Sequence, residues 1–118
     1  MLVPILRQGN VLIASIQSVL TDRDLVQLQD EFARQIGRTR SRGVVIDVTA
    51  LDVVDSFATR TLRSIACTAR LRGAVTILVG IQPDVACAMA RLGLTLEGVT
   101  TALDLDDAMH LLNSAIGL

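Results

Sequence analysis

The chain begins with two short apolar runs, at positions 2–7 and 10–17, which the residue pair Gly9-Asn10 separates. Gly and Asn accept a positive φ, so this pair favours a tight turn between two strands. Pro4 has no N–H to donate, which suits a strand at the edge of a sheet. The pattern therefore predicts an N-terminal hairpin whose first strand lies at a sheet edge.

A helical spacing of apolar residues follows the hairpin. Thr21 and Asp22 are typical of a helix start, and Gly37 is the expected C-terminal cap. Between them, apolar positions recur at intervals of three and four residues, as one face of a helix requires. These positions are Leu25, Leu28, Phe32 and Ile36. We predict an amphipathic helix of about four turns.

Two almost wholly apolar runs in the middle of the chain are typical of strands that are covered on both faces. The first run occupies positions 44–48 and the second occupies positions 74–79. The residues between them predict a second helix that ends at Gly73. Its inward positions are expected to be Phe57, Thr61, Leu62, Ile65 and Ala69.

The last third of the chain predicts two further helices with a weak strand between them. Pro83 suits the first turn of a helix and Gly93 suits its end. The weak strand is expected near positions 99–101. Acidic residues crowd the first turn of the final helix, where the helix dipole favours negative charge. They are Asp104, Asp106 and Asp107.

The predicted order of elements is β-β-α-β-α-β-α-(β)-α. This alternation favours an α/β fold with a mostly parallel sheet, right-handed crossovers and an N-terminal edge hairpin. The chain has 118 residues, 51 % of them hydrophobic, so we expect a single domain over positions 1–118. Function in such sheets gathers beyond the carboxyl ends of the strands. Two loops qualify, at positions 50–56 and 80–84.

Composition narrows the class of protein. A formal net charge of −1 argues against a general nucleic-acid binder, and all eleven basic residues are Arg, which excludes a Schiff-base or P-loop lysine. Cys67 and Cys87 are too far apart for a C-x-x-C pair, and we expect both to act as small hydrophobes in a reducing compartment. Neither a signal peptide nor a run of ~18 apolar residues is visible. The prediction is a cytoplasmic protein with no membrane partner.

Enzyme chemistry finds little support in the sequence. His110 is the only histidine and lies in the last predicted helix, so a Ser-His-Asp arrangement would need it to reach Ser56 across the fold. One histidine and two separated cysteines offer no recognisable metal-ligand set, and neither G-x-G-x-x-G nor a Walker loop is present. We therefore expect a protein that is not an enzyme and that uses no cofactor or metal.

Arginines form two groups along the chain. The first, within positions 34–42, lies between the first helix and the next strand, where a solvated connection is the ordinary interpretation. No aromatic residue lies among these arginines to stack on a base. The second group lies on one side of the second helix and fits either plain surface or a docking face for an acidic partner. Its members are Arg60, Arg63 and Arg70.

Ser56 lies at the start of the second helix, where N–H groups without partners and the helix dipole favour negative charge. Two interpretations are open at this point: Asp55 or Ser56 caps the helix, or Ser56 accepts a phosphate. Arg60 lies four residues after Ser56 on the same helix face and could pair with that phosphate. Phosphorylation would add about −1.5 to −2 charges, which would repel a partner surface without unfolding the domain.

The chain resembles the STAS domain family, named for sulfate transporters and anti-sigma-factor antagonists. Within that family it is most similar to the small scaffold proteins of the stressosome. Four stretches support the resemblance, in the same order and spacing over essentially the whole chain. They are Pro4-Ile5-Leu6 with Ser15-Ile16-Gln17, the signature at positions 43–57, Gly80-Ile81-Gln82-Pro83, and Leu92-Gly93-Leu94 followed by Thr101-Ala102-Leu103-Asp104-Leu105.

The resemblance implies a non-catalytic scaffold that holds an RsbT-like switch serine kinase and releases it when Ser56 is phosphorylated. The implied partners are RsbR-like sensor paralogues, a resetting phosphatase, and further copies in a homodimer and a large hetero-assembly. The released kinase would regulate a general stress, sigma-factor or related pathway. The residues implied to shape the phosphosite or contact the partner are Asp47, Asp55, Phe57, Thr59, Arg60, Gly80 and Gln82.

One departure from the wider family bears on an alternative function. Direct anti-sigma-factor antagonists usually have small residues, including Gly, after the acceptor serine, whereas this chain has Phe57-Ala58-Thr59. The alternative is therefore a direct antagonist that an anti-sigma-factor kinase phosphorylates. The two functions differ in the expected size of the complex.

Overall fold

The computed structural model of the protein describes residues 3–116 and contains one five-stranded sheet. Its strands lie in the order β1-β2-β3-β4-β5, with β1 antiparallel to β2 and the other neighbours parallel. The strands are β1 Ile5–Gln8, β2 Val11–Ser15, β3 Gly43–Asp47, β4 Val75–Val79 and β5 Val99–Ala102. The helices are α1 Asp22–Thr39, α2 Ser56–Leu71, α3 Pro83–Arg91 and α4 Leu105–Ile116. The predicted order of elements is confirmed, including the weak strand.

The N-terminal hairpin is confirmed with shorter strands than the apolar runs predicted. Gly9 turns the chain with a φ of +61°, and Pro4 immediately precedes β1 at the edge of the sheet. Residue 2 of the first run lies outside the described residues. The second run overran the strand at its carboxyl end, yet the N–H of Ile16 still donates to the carbonyl of Asp47, at 2.9 Å. The apolar run therefore extends past the last residue of β2, and backbone pairing with β3 still continues at Ile16.

Buried hydrophobic residues lie on both faces of the sheet, and more helices pack on one face than on the other. On β3, Val44 and Ile46 pack with residues of α1, α2 and α3, whereas Val45 packs with residues of α4. The prediction that β3 and β4 are covered on both faces is confirmed by their buried side chains. Three helices lie on one face, and α4 lies on the other.

The end of α1 corrects a prediction. The helix does not stop at Gly37; it continues to Thr39, and Arg40 is the cap in the left-handed region, at φ +51°. Gly37 serves packing instead, because a Cβ there would lie 3.1 Å from Nη2 of Arg72. The absence of a side chain makes room for a guanidinium group rather than for a turn.

Three side chains are more exposed than the sequence predicted. Phe57 is half-buried rather than part of the core, and Cys67 and Cys87 are exposed on their helices. The inward face of α2 is rotated toward smaller residues, with Thr59 and Ala66 buried beside the predicted positions. The expectation that both cysteines act as buried hydrophobes is therefore wrong.

Candidate functional site

Asp47 folds the chain immediately after β3. One oxygen of its carboxylate accepts two hydrogen bonds from Thr49, from the N–H at 2.9 Å and from the hydroxyl at 2.6 Å. Such a turn uses the aspartate side chain in place of a backbone acceptor. Asp47 thus orders the turn at the start of the segment that leads to Ser56.

Thr49 also joins the two loops that the sequence singled out. Nε2 of Gln82 donates to the carbonyl of Thr49 at 2.8 Å, across 33 positions of sequence. Gly80 has a φ of +79°, and a Cβ there would lie 1.9 Å from the Thr49 hydroxyl oxygen. Only glycine permits this approach. Thr49 was missed by sequence reasoning, since a threonine after a strand carries no signal of a distant contact.

Asp55 is the N-terminal cap of α2. Its carboxylate accepts a hydrogen bond from the N–H of Ala58 at 2.8 Å, and its carbonyl accepts from the N–H of Thr59 at 2.9 Å. Ser56 is the first helical residue, half-buried, and its hydroxyl makes no hydrogen bond with any other described residue. The structure therefore decides between the two candidate caps in favour of Asp55.

The first turn of α2 places the neighbouring candidates differently. Thr59 is fully buried, and its hydroxyl donates to the carbonyl of Asp55 at 2.9 Å, so Thr59 lies inside the domain rather than on a partner-facing surface. Arg60 lies one turn after Ser56 and is exposed, with no ion pair among residues 3–116. Phe57 is half-buried beside them. Arg60 is thus the exposed residue of this turn, while Ser56 and Phe57 are both half-buried.

An apolar pocket opens beside Asp55. Two of its lining residues, Val19 and Val53, are exposed although both are large hydrophobic residues. Sequence reasoning missed this pocket, and the available signal was valine in loops where polar residues are usual. The pocket is lined by Ile16, Val19, Leu20, Leu25, Val48, Leu51, Val53, Val54, Asp55, Ala58 and Leu62.

His110 lies on α4, and α4 packs on the face of the sheet opposite to α2. The sheet therefore separates the histidine from Ser56, and the Ser-His-Asp arrangement is not assembled. Within residues 3–116, no three His, Cys, Asp or Glu side chains are grouped so as to hold a metal ion. No helix among the described residues is both long enough and apolar enough to cross a membrane.

Comparison with known proteins agrees with this fold. A model of the STAS domain matches residues 3–108. The chain belongs to the STAS domain family, as the sequence resemblance indicated.

Two solved structures match nearly the whole chain. An RsbS variant from Moorella thermoacetica has 35 % sequence identity and a TM-score of 0.85, over 98 % of each chain. A chain from the stressosome, described as a signal integration and transduction hub, has 36 % identity and a TM-score of 0.80, over 98 % of this chain and 100 % of that chain. The resemblance to stressosome scaffold proteins is confirmed at the level of sequence and fold.

A curated relative is the RsbT co-antagonist protein RsbRA of Bacillus subtilis (strain 168). It is 25 % identical over an alignment of 108 positions, and the match covers 83 % of this chain. The match spans only 39 % of the length of RsbRA. The chain therefore spans less than half of the length of this relative.

Proposed function

We propose that this protein is a non-catalytic scaffold of a cytoplasmic stressosome-type assembly. In this role it sequesters an RsbT-like switch serine kinase and releases it when Ser56 is phosphorylated. The similarity to RsbS and to a stressosome chain supports the assembly role. The name of the relative RsbRA, an RsbT co-antagonist, supports a kinase of the RsbT type as the partner and an RsbR-like sensor paralogue as a co-scaffold.

One observation carries the proposal: Asp55 caps α2, so the neighbouring Ser56 hydroxyl has no structural hydrogen bond to lose. A phosphate on Ser56 would add about −1.5 to −2 charges at a helix N-terminus, where the dipole favours negative charge. The N–H groups of Ser56 and Phe57 precede the first bonds within the helix and could donate to it. Modification therefore leaves the fold intact.

The surroundings of Ser56 suit a partner that modification drives away. The apolar pocket beside Asp55 offers a contact for a hydrophobic side chain of the kinase, while Gly80 and Gln82 hold the loop in place. A phosphate at the margin of that contact would have to lose water or face repulsion if the kinase stayed bound. Arg60 would pair with the phosphate and hold it at the surface. A phosphatase would then reset the scaffold.

The first test is the mass of the intact protein after incubation with the cognate kinase and ATP. Wild type should gain one phosphate and Ser56→Ala should gain none. Thr59→Val is the matched control, because the Thr59 hydroxyl is buried in the first turn, and it should still gain one phosphate. Phosphorylation that persists in Ser56→Ala would move the switch to another residue.

The second test measures kinase retention on immobilised scaffold. Ser56→Asp should release the kinase and Ser56→Ala should retain it, because only the first introduces charge at the contact. Equal retention by both variants would contradict an electrostatic release. A folding control comes from thermal unfolding, where neither variant should collapse, since the cap residue Asp55 is unchanged.

The assembly role is tested by particle mass. Mixing the protein with its RsbR-like paralogue should give particles far larger than a homodimer, and sedimentation or light scattering would measure them. Small oligomers alone would contradict the scaffold role.

A further inference from the structure

Opposite charges lie at the two ends of the sheet. The carboxyl ends of the strands lead into helix starts that bear acidic residues, with Asp55 capping α2 and Asp84 in the first turn of α3. At the opposite end of the sheet, where the strands begin, α1, α2 and α3 each have a basic residue in their last turn. We call the group there the basic end; its members are Arg38, Arg40, Arg42, Arg70 and Arg72, together with Leu71.

The backbone brings the members of the basic end together. The register sets the first residues of β2, β3 and β4 side by side, and the N–H of Arg42 donates to the carbonyl of Asn10 at 2.8 Å. Arg72 reaches from the end of α2 to Gly37 near the end of α1. Arg70 extends to the loop before β5, because a Cβ at Gly98 would lie 3.5 Å from its Nη1. The amino ends of the strands therefore have exposed arginines around them, and the guanidinium groups of Arg70 and Arg72 reach neighbouring elements.

Among residues 3–116, none of these arginines has an acidic side chain within ion-pair distance. In the described part of the chain, Arg34 is the one arginine in an ion pair, and its partner is Glu31 on the same helix. A group of cations without anions raises the local potential and favours an acidic partner surface. Arginine also suits interfaces better than lysine, because its planar group binds carboxylates through two parallel hydrogen bonds.

Each end of the molecule also exposes a large apolar side chain among its charges. Leu71 is 81 % exposed between two arginines, and Leu103 is 87 % exposed directly after β5. Helix dipoles account for acidic first turns and basic last turns, but they do not account for exposed leucines. We call the second group the acidic end; its members are Leu103, Asp104, Leu105, Asp106 and Asp107.

We propose that the basic end of one molecule binds the acidic end of a second copy of this chain. Leu71 and Leu103 form the apolar centre of the contact, and arginines meet aspartates around it, as in interfaces with an apolar core and a polar rim. The contact joins two different surfaces, so it adds copies head to tail instead of closing a symmetric pair. Leu103 follows β5, two strands and about 10 Å from β3, which leaves Ser56 accessible.

The test is sedimentation velocity of the purified protein over a range of concentrations. Wild type should self-associate at about 0.1 M salt and dissociate at about 1 M, where the Debye length falls to about 3 Å. Arg72→Glu should weaken association by about tenfold or more, since it sets like charges against each other. Arg23→Glu is the matched control: it changes net charge equally but lies in the first turn of α1, and it should associate as wild type does.

A charge swap identifies the contact surfaces. Asp106→Arg alone should associate weakly, and an equimolar mixture with Arg72→Glu should recover association. Leu103→Ser tests the apolar centre: it leaves the net charge unchanged, and Leu103 is exposed. This variant should also weaken association. The proposal is overturned if wild type remains unassociated at both salt concentrations, if association does not depend on salt, or if Arg72→Glu associates like wild type. None of these outcomes depends on the kinase or on Ser56.

Discussion

The two loops that join β3 to α2 and β4 to α3 leave the same edge of the sheet and start helices in different ways. Asp55 caps α2 with its side chain, at 2.8 Å from the N–H of Ala58. Gln82 is the cap residue of α3 but makes no side-chain hydrogen bond to that helix. Its amide instead donates to the carbonyl of Thr49 in the neighbouring loop.

This difference shows a division of roles between the loops. Pro83 at the first position of α3 has no N–H to satisfy, so that helix needs less from its cap. Gln82 is then free to support the β3–α2 loop, and Gly80 lets Thr49 approach closely. One loop therefore leads to Ser56, whose hydroxyl makes no hydrogen bond within residues 3–116, and the other loop supports the first through Gln82.

The largest expected effect comes from Gly80→Ala. A side chain at φ +79° is strained, and its Cβ would clash with Thr49, so we expect a loss of about 3 kcal/mol in the free energy of unfolding. Gly93→Ala is the matched control, with φ +68° and no atom within 4 Å of the added Cβ, and it should lose about 1 kcal/mol. Urea unfolding measures both. Equal losses would mean that the two loops are not packed together.

The next largest effect is expected for Asp55→Ala, which removes the cap of α2 and should lower the free energy of unfolding by about 1 kcal/mol. Asp52→Ala serves as control, because Asp52 is exposed in the same loop and makes no hydrogen bond to another described residue. It should change stability by less than about 0.5 kcal/mol. Thermal unfolding of the pair would refute the assignment of the cap if Asp52→Ala were the more damaging.

Gln82→Glu should lower the free energy of unfolding by about 0.5–1 kcal/mol. The reason is that it replaces the group that donates to the carbonyl of Thr49 with an acceptor of the same shape. If Ser56 is the phosphorylation site, as we propose, its rate of phosphorylation should also fall, since the supporting loop is loosened. Gln27→Glu on the exposed surface of α1 is the control for the added charge. An unchanged phosphorylation rate in Gln82→Glu would show that the second loop does not position the first.

The smallest expected effect is that of Ser56→Ala on stability. The hydroxyl makes no hydrogen bond within the described chain, so the free energy of unfolding should change by less than about 0.5 kcal/mol. A comparison with Asp55→Ala under identical conditions is decisive. If Ser56→Ala were the more costly of the two, Ser56 rather than Asp55 would be the structural cap.

Much of the fold could be predicted from local pattern. The buried run of β3 was visible because a strand covered on both faces is apolar throughout. The start of α3 was visible because Pro83 suits a first helical turn. Gly37 was misinterpreted, since glycine after a helical run is typical of a cap, and only the neighbouring helix reveals that it makes room for Arg72.

The sequence by itself determined the order of the elements and the position of Ser56 at a helix start, because these depend on periodicity and on neighbours along the chain. It also indicated the family, through the resemblance of four stretches to STAS domains. The tertiary structure decided which residue caps α2, how Thr49 contacts Gly80 and Gln82, and where the arginines gather. The cap of α2 depends on the local geometry of Asp55, whereas the contacts of Thr49 depend on the parallel register of the strands. This register brings together residues that lie about thirty positions apart in the sequence, and the periodicity of a short segment cannot predict such contacts.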